Sequence, residues 1–172
     1  MAGDKYLYNN SGVVTEKASI QSSAGAGDAG KIPALDSAGR LDSSMMPTGM
    51  GAETFILVAF ENLAAGDFVN IFDDSGTIKV RKADASGGVA KKADGYVLAA
   101  ATTGNNATIY YGNLNNQKSG LTGGATYYLS GSTPGGVTTT APSTAAYIVQ
   151  KLGKAKSATE LLTEIEDPIV LA

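Results

Sequence analysis

Paired carboxylates are the groups in this sequence whose type and spacing come closest to catalytic chemistry. Asp73 and Asp74 are neighbours, and Glu164, Glu166 and Asp167 form a second acidic cluster farther along the chain. Two carboxylates on either side of a sugar carry out glycoside hydrolysis. Such sites usually include aromatic platforms, and this chain has no Trp. We therefore expect both clusters to be solvated, the first in a turn and the second on an exposed edge.

The absence of His and Cys excludes most other catalytic chemistry. It removes the Ser–His and Cys–His nucleophile pairs and the usual zinc ligands. The glycine pairs at 87–88, 123–124 and 135–136 lack the Lys-Ser/Thr and the helix of a phosphate-binding loop, and the acidic residues lack the EF-hand spacing. We assign no catalytic, cofactor-binding or metal-binding residue and do not expect an enzyme. A small carboxylate hydrolase is kept as a third hypothesis, which predicts a deep acidic cleft.

Charge and hydropathy narrow the possible partners. The 172 residues include 13 Lys and Arg against 16 Asp and Glu, which gives a net charge of −3. Arg81-Lys82 and Lys91-Lys92 are isolated doublets rather than a basic patch. Because binding to nucleic acid needs clustered phosphate contacts, we do not expect it here. No stretch approaches the ~18 apolar residues of a membrane span, so a membrane is not expected as a partner either.

Hydrophobic patterning predicts the strands that would position these groups. Runs of β-branched and aromatic residues recur roughly every 8–12 residues, a spacing typical of an all-β barrel or sandwich. The uninterrupted apolar run at 54–60 favours a strand that is buried on both faces. The predicted strands are 54–60, 67–72, 77–82, 95–100, 107–111, 126–129, 137–140, 147–152 and 169–171.

A change of composition at Glu53 predicts two regions. Residues 53–172 carry most large apolar residues and are expected to form a small β-barrel or sandwich, whereas residues 1–52 are expected to form an extended N-terminal arm and linker. Within the arm, the turn formers at 9–12 predict a hairpin, and 21–31 has the composition of a linker. Seven apolar side chains of the arm are candidate anchors on a partner: Tyr6, Tyr8, Ile32, Leu35, Leu41, Met45 and Met46.

A weak internal repeat links two parts of the larger region. Residues 63–69 resemble 121–127, and each is followed by a turn ending in Gly and a Val/Ile/Thr strand. Each of these hairpins then leads to a Tyr-Val or Tyr-Ile-Val strand. The economical interpretation is two hairpin-plus-strand units that close one barrel. Farther along, 157–162 allows either one or two helical turns behind a capping box or a turn into a strand.

Two tyrosine pairs fall on predicted strands. Neighbouring side chains of a strand point to opposite faces, so we expect one Tyr of each pair in the core and the other at the surface. A surface Tyr suits a subunit interface or sugar stacking, and an interface is favoured here. The interface candidates are Tyr110, Tyr111, Tyr127 and Tyr128.

The segment 30–47 contains Gly30-Lys31-Ile32, Leu35-Asp36, Gly39 and Leu41-Asp42. With these residues it resembles the short linker motif of phage tail-fibre and head-fibre proteins. Through 63–69, 119–129, 134–138 and 149–155, the domain that follows resembles a small β domain of phage virion proteins.

This resemblance implies a non-enzymatic virion component of the capsid decoration type, which includes cement and head-fibre proteins. It implies a homotrimer, the major capsid protein as partner, synthesis in the host cytoplasm and a final place on the outer capsid surface. A short arm before one domain, without a long shaft, favours decoration over a fibre. The alternative is a tail-fibre or tail-tip module whose exposed domain binds a host glycan.

Overall fold

The computed structural model describes residues 5–46 and 53–172. The chain divides into two compact units, Met1–Gly51 and Ala52–Ala172, next to the compositional boundary at Glu53. The prediction of an all-β chain with a small barrel is confirmed. The helices of the described residues are short 3₁₀ segments at Ala26–Asp28, Ser43–Met45 and Ala85–Lys91.

The first unit begins with a regular antiparallel hairpin of β1 (Lys5–Asn10) and β2 (Val13–Ala18). Its two-residue turn places Ser11 and Gly12 at positive φ, 54° and 95°, the turn geometry that matches the twist of paired strands. The Gly12 amide donates to Asn9 Oδ1 at 2.6 Å. The predicted hairpin is therefore confirmed.

Beyond the hairpin, the chain turns back on itself. The Ile20 amide donates to the Ile32 carbonyl at 3.0 Å, and the Ala34 amide donates to the Ile20 carbonyl at 2.7 Å. Within the loop, Lys31 Nζ lies 2.6 Å from Asp28 Oδ1. The segment predicted as a linker is thus a closed loop with its own hydrogen bonds.

The second unit contains a closed five-stranded barrel. Its strands are β3 (Thr54–Ala59), β4 (Phe68–Asp74), β5 (Thr77–Lys82), β6 (Gly95–Val97) and β7 (Asn106–Tyr110). They follow the order β3-β5-β4-β6-β7, and β7 pairs with β3 to close the barrel. The pair β3–β5 is parallel and the other four pairs are antiparallel.

The turn between β4 and β5 repeats the geometry of the first hairpin. Ser75 and Gly76 have φ of 55° and 90°, and the Gly76 amide donates to Asp73 Oδ1 at 2.7 Å. The neighbouring Asp74 pairs with Lys79 at 2.6 Å. The acidic pair therefore belongs to a turn, as the sequence predicts: one carboxylate caps it and the other holds an ion pair.

A five-stranded sheet follows the barrel in the chain. It consists of β8 (Leu114–Asn115), β9 (Thr126–Leu129), β10 (Val137–Thr138), β12 (Lys151–Ala155) and β13 (Leu161–Thr163), in the order β10-β9-β12-β13-β8. A separate pair joins β11 (Ile148–Val149) to β14 (Ile169–Val170). Of the two possibilities at 157–162, the turn into a strand is correct, because the Lys156 and Ser157 amides both donate to the Glu160 carbonyl.

The two repeat units share a topology but lie in different sheets. The first forms the order β5-β4-β6 and the second forms β10-β9-β12, so each third strand pairs with the first strand of its hairpin. The interpretation that both close one barrel is wrong. The second repeat, made of β9, β10 and β12, stays outside the barrel because β12 continues to pair with β13 and not with a barrel strand.

The second unit has two apolar cores that share a wall. Val69 and Val97 point into the barrel, whereas their neighbours Phe68 and Tyr96 point outwards into a second core with the five-stranded sheet. All four side chains are at most 1% exposed. Because alternate residues serve opposite cores, β6 and the beginning of β4 are buried on both faces.

The expectation that 54–60 is buried on both faces is wrong. Phe55 and Leu57 pack against the barrel core, but Ile56 is 61% exposed and Phe60 is 47% exposed. The apolar run misled the prediction because β3 has an apolar residue on its solvent side as well as on its core side.

Candidate functional site

The hairpin carries the first two predicted anchors on one of its faces. Tyr6 and Tyr8 are half-buried, and Lys17 Nζ lies 5.0 Å from the centre of the Tyr8 ring. The Tyr6 and Thr15 hydroxyl oxygens are buried and have no hydrogen-bond partner within the described part of the chain. Among residues 5–46 and 53–172, these two hydroxyl groups on this face are therefore left without a hydrogen bond.

The opposite face of the hairpin carries exposed apolar side chains that were missed as anchors. Leu7 is 70% exposed and Val14 is 67% exposed, beside an ion pair of 2.6 Å between Lys5 and Glu16. Val13, next to the turn, is 62% exposed. The signal was present in the sequence, because alternation in Tyr-Leu-Tyr places the Leu opposite the two rings.

The other predicted anchors lie along the loop that follows. Ile32, Leu35, Leu41 and Met46 are exposed, Leu35 by 57%, and Met45 is half-buried. They are not brought together into one core. The loop presents them one after another at the surface.

The two Leu-Asp steps of the linker motif each end in a capped turn. Asp36 Oδ1 accepts from the Ala38 and Arg40 amides at 2.8 and 2.9 Å. Asp42 Oδ1 accepts from the Ser44 hydroxyl and amide, and these hydrogen bonds lower the pKa of Asp42. The aspartates therefore fix the backbone that carries Leu35 and Leu41 and have no catalytic geometry.

Burial in the first unit is unusually low. Every described residue from 5 to 46 is exposed or half-buried, and none is fully buried. An isolated two-stranded hairpin is only marginally stable in water. The exposed Leu and Val side chains of this region are therefore available to a partner that would cover them.

Tyr127 belongs to the core and not to a surface. It is 5% exposed, and its hydroxyl accepts from the Thr122 amide at 2.8 Å. Its assignment as an interface residue is therefore wrong, since alternation along β9 turns it inwards. Tyr128 points the other way and is half-buried.

The second tyrosine pair is packed on both sides of its strand. Tyr110 stacks on Tyr96 of the second core with a centroid distance of 5.8 Å, and Tyr111 packs against Phe55 of the barrel at 4.7 Å. Both are half-buried, so the expectation of one core and one surface Tyr is wrong here. An apolar core lies on each side of this wall of the barrel. The residue pattern of a single strand cannot predict the second core.

Lys118 is the lysine whose surroundings disfavour its charge most clearly. Burial lowers its pKa to about 8, and the nearby Asp67 carboxylate opposes that shift. Its ammonium lies 5.1 Å from the centre of the Phe68 ring and 3.4 Å from the Gly135 carbonyl oxygen. The side chain thus secures the loop before β9 against β4 and the turn before β10.

Membrane spans and metal sites are two further kinds of site to compare with the described residues. None of the helices in residues 5–46 and 53–172 has the length and apolar character of a membrane span. In the same residues, no three acidic side chains converge as metal ligands would. Comparisons of the chain with family models, with curated proteins and with solved structures found no match.

Proposed function

We propose that this chain is a phage capsid decoration protein of the cement or head-fibre type, without catalytic activity. It binds the major capsid protein on the outer surface of the assembled head through residues 1–52 and displays residues 53–172. One observation carries the attachment role: residues 5–46 contain no fully buried side chain but expose Leu7, Val13 and Val14. The choice of a phage head as partner rests on the resemblance of residues 30–47 to the phage linker motif.

The energetics of such a surface favour binding. Covering an exposed Leu or Val contributes roughly 1.5–3 kcal/mol before the cost of association. A protein that binds only the assembled shell also stabilises that shell by mass action. The homotrimer of this proposal rests on the same resemblance, and three linked copies would bind with higher avidity than one.

The test of attachment uses a double variant, Leu7→Asn with Val14→Asn, and purified heads that lack this protein. Both side chains lie on the same exposed face, so neither change opens a core. We expect binding to weaken by about 100-fold or more, since two apolar contacts of roughly 1.5 kcal/mol each are lost. Co-sedimentation with the heads measures the affinity.

The matched control is Leu162→Asn, which changes a side chain of the second unit that is 57% exposed. It should bind heads as the parent protein does. Equal binding by the double variant and the parent protein would contradict the attachment role.

Electron cryo-microscopy of virions with and without the protein tests the location. Density lost across the whole head supports decoration, and its symmetry position would support or refute the homotrimer. Density lost only at the tail or at one vertex would favour the tail-fibre alternative. Of the predicted interface tyrosines, the half-buried Tyr110 and Tyr128 are the proposed trimer contacts, whereas Tyr111 packs against Phe55 of the barrel.

A further inference from the structure

A cleft of about 340 Å³ lies where the barrel meets the five-stranded sheet of the second unit. Lys92 and Asp94, just before β6, and Tyr111, just after β7, line the barrel side. Glu166 and Asp167, after β13, line the other side. The volume falls within the range of sites for small organic ligands, and a junction between layers is a common place for them.

The floor of the cleft is held by a buried amide. Gln150 is 1% exposed, and its Oε1 accepts from the Ala93 amide at 2.8 Å. Its Nε2 donates to the carbonyls of Ala93 and Glu166, each at 2.9 Å. One side chain thus ties the two walls together, so the cleft is formed before any ligand enters.

Two acidic groups of the cleft, Asp94 and Glu166, already have cationic neighbours. Asp94 Oδ2 accepts from Asn70 Nδ2 and the Ile71 amide, and Asp94 Oδ1 lies 3.6 Å from Lys92 Nζ. Glu166 Oε1 lies 2.5 Å from Lys151 Nζ. Because these charges are compensated, the carboxylates offer fixed hydrogen-bond acceptors more than they offer a site for a further cation.

Tyr111 supplies an aromatic wall beside these acceptors. Phe55 packs against its ring at 4.7 Å, which fixes the orientation of the ring at the cleft. Burial, and then the nearby Asp94 carboxylate, raise the pKa of the Tyr111 phenol. The hydroxyl therefore stays protonated at neutral pH and can both donate and accept a hydrogen bond.

We propose that this cleft binds a neutral polyhydroxylated ligand of the saccharide class. Each sugar hydroxyl both donates and accepts, which matches the Asp94 and Glu166 acceptors beside the Lys92 donor. The apolar face of a sugar ring would lie against Tyr111. This ligand role is separate from capsid attachment, because the cleft lies wholly in the second unit.

The test is a ¹⁵N NMR titration of the full chain with three probes: methyl β-D-glucoside, methyl β-D-galactoside and methyl N-acetyl-β-D-glucosaminide. We expect saturable shifts with at least one probe at 92–94, 111–112 and 165–167. Lys92→Met keeps the apolar stem but removes the donor, and should weaken binding about tenfold. Asp167→Ala, on the opposite wall, is the second variant and should also weaken it.

Lys154→Met is the matched control, since Lys154 is exposed on β12 and does not line the cleft. It should leave the affinity unchanged. The proposal would be overturned if none of the three probes gave saturable shifts. It would also be overturned if Lys92→Met and Asp167→Ala both bound the probe as tightly as the parent protein does. Binding of arginine methyl ester without binding of any sugar would overturn it too, because the cleft would then be a cation site. None of these outcomes affects the head-binding test.

Discussion

Gln150 joins two segments of the second unit through one buried side chain. Its amide satisfies the amide and carbonyl of Ala93 and the carbonyl of Glu166, so three backbone groups depend on it. A buried polar group left without a partner costs about 1–3 kcal/mol. Removal of the Gln150 amide would therefore lower the stability mainly because these three backbone groups would stay buried without a hydrogen-bond partner.

We predict that Gln150→Leu lowers the free energy of unfolding by about 3 kcal/mol or more. Urea denaturation followed by circular dichroism measures the change. Gln117→Leu is the control, because Gln117 is exposed and its side-chain amide donates to the neighbouring, exposed Asn116 side chain. It should change stability by no more than about 0.5 kcal/mol. Similar values for both variants would show that the Gln150 hydrogen bonds contribute little.

The lowered pKa of Lys118 predicts a dependence of stability on pH. In the folded chain this pKa is about 8, below the model-compound value of 10.5. Between pH 8 and pH 10.5 the unfolded chain binds more protons than the folded chain, so the free energy of unfolding rises with pH. Burial of the charged Lys118 side chain destabilises the fold; this destabilisation is fully present below pH 8 and is relieved as the pH rises to about 10.5.

We expect Lys118→Met to remove that dependence. The variant should be more stable than the parent protein at pH 7, by on the order of 2 kcal/mol, and the difference should shrink towards pH 10.5. Thermal or urea unfolding across that range measures it. Lys154→Met, at an exposed site, should show no such trend. A constant difference between pH 7 and pH 10.5 would contradict the burial of the ammonium.

At the scale of elements, the chain uses one turn twice. Asn9-Asn10-Ser11-Gly12 and Asp73-Asp74-Ser75-Gly76 both place Ser and Gly at positive φ, and both cap the Gly amide with the side chain three residues earlier. In the barrel, this turn fixes the register of β4 and β5. In the first unit, it fixes the register of the exposed hairpin.

The two turns predict different outcomes for the same substitution. Gly76→Ala should lower the stability of the second unit by about 1–2 kcal/mol, because an L-residue is strained at φ of 90°. Gly12→Ala should leave that stability unchanged and weaken binding to heads instead. Unfolding and co-sedimentation of both variants measure the two effects. Loss of barrel stability in Gly12→Ala would contradict the separation into two units.

The sequence predicted a strand well where apolar and charged residues alternate regularly along it. It predicted less where contacts between distant parts of the chain determine the structure. Strand β5 was predicted at its observed bounds because Ile78 and Val80 alternate with charged residues. Strands β8 and β13 have two and three residues, too short to show a period. The cleft combines residues as distant in the chain as Lys92 and Asp167, and no local pattern connects them.

At the scale of the molecule, burial is concentrated in one unit. The second unit holds both apolar cores, whereas the described residues of the first are all exposed or half-buried. Because alternate residues of β4 and β6 belong to different cores, a substitution that disrupts the packing of one core should also destabilise the other. We therefore expect the second unit to unfold in a single transition.

A fragment of residues 53–172 should fold by itself. We predict a dispersed NMR spectrum and a free energy of unfolding within about 1 kcal/mol of the transition of the full chain, because every core residue is retained. The same fragment should fail to bind heads. A collapsed or aggregated fragment would show that the first unit is needed for folding, and retained binding would move the attachment surface to the second unit.

The position of β3 has a mechanical consequence. A pull on the first unit enters the second at β3, the first strand after the connection. That strand is paired on one side with β5 and on the other with β7. In the antiparallel β3–β7 pair the hydrogen bonds run across the strand direction, so tension along β3 loads them together rather than breaking them singly. The closed barrel therefore acts as a shear clamp that resists extraction of its own leading strand.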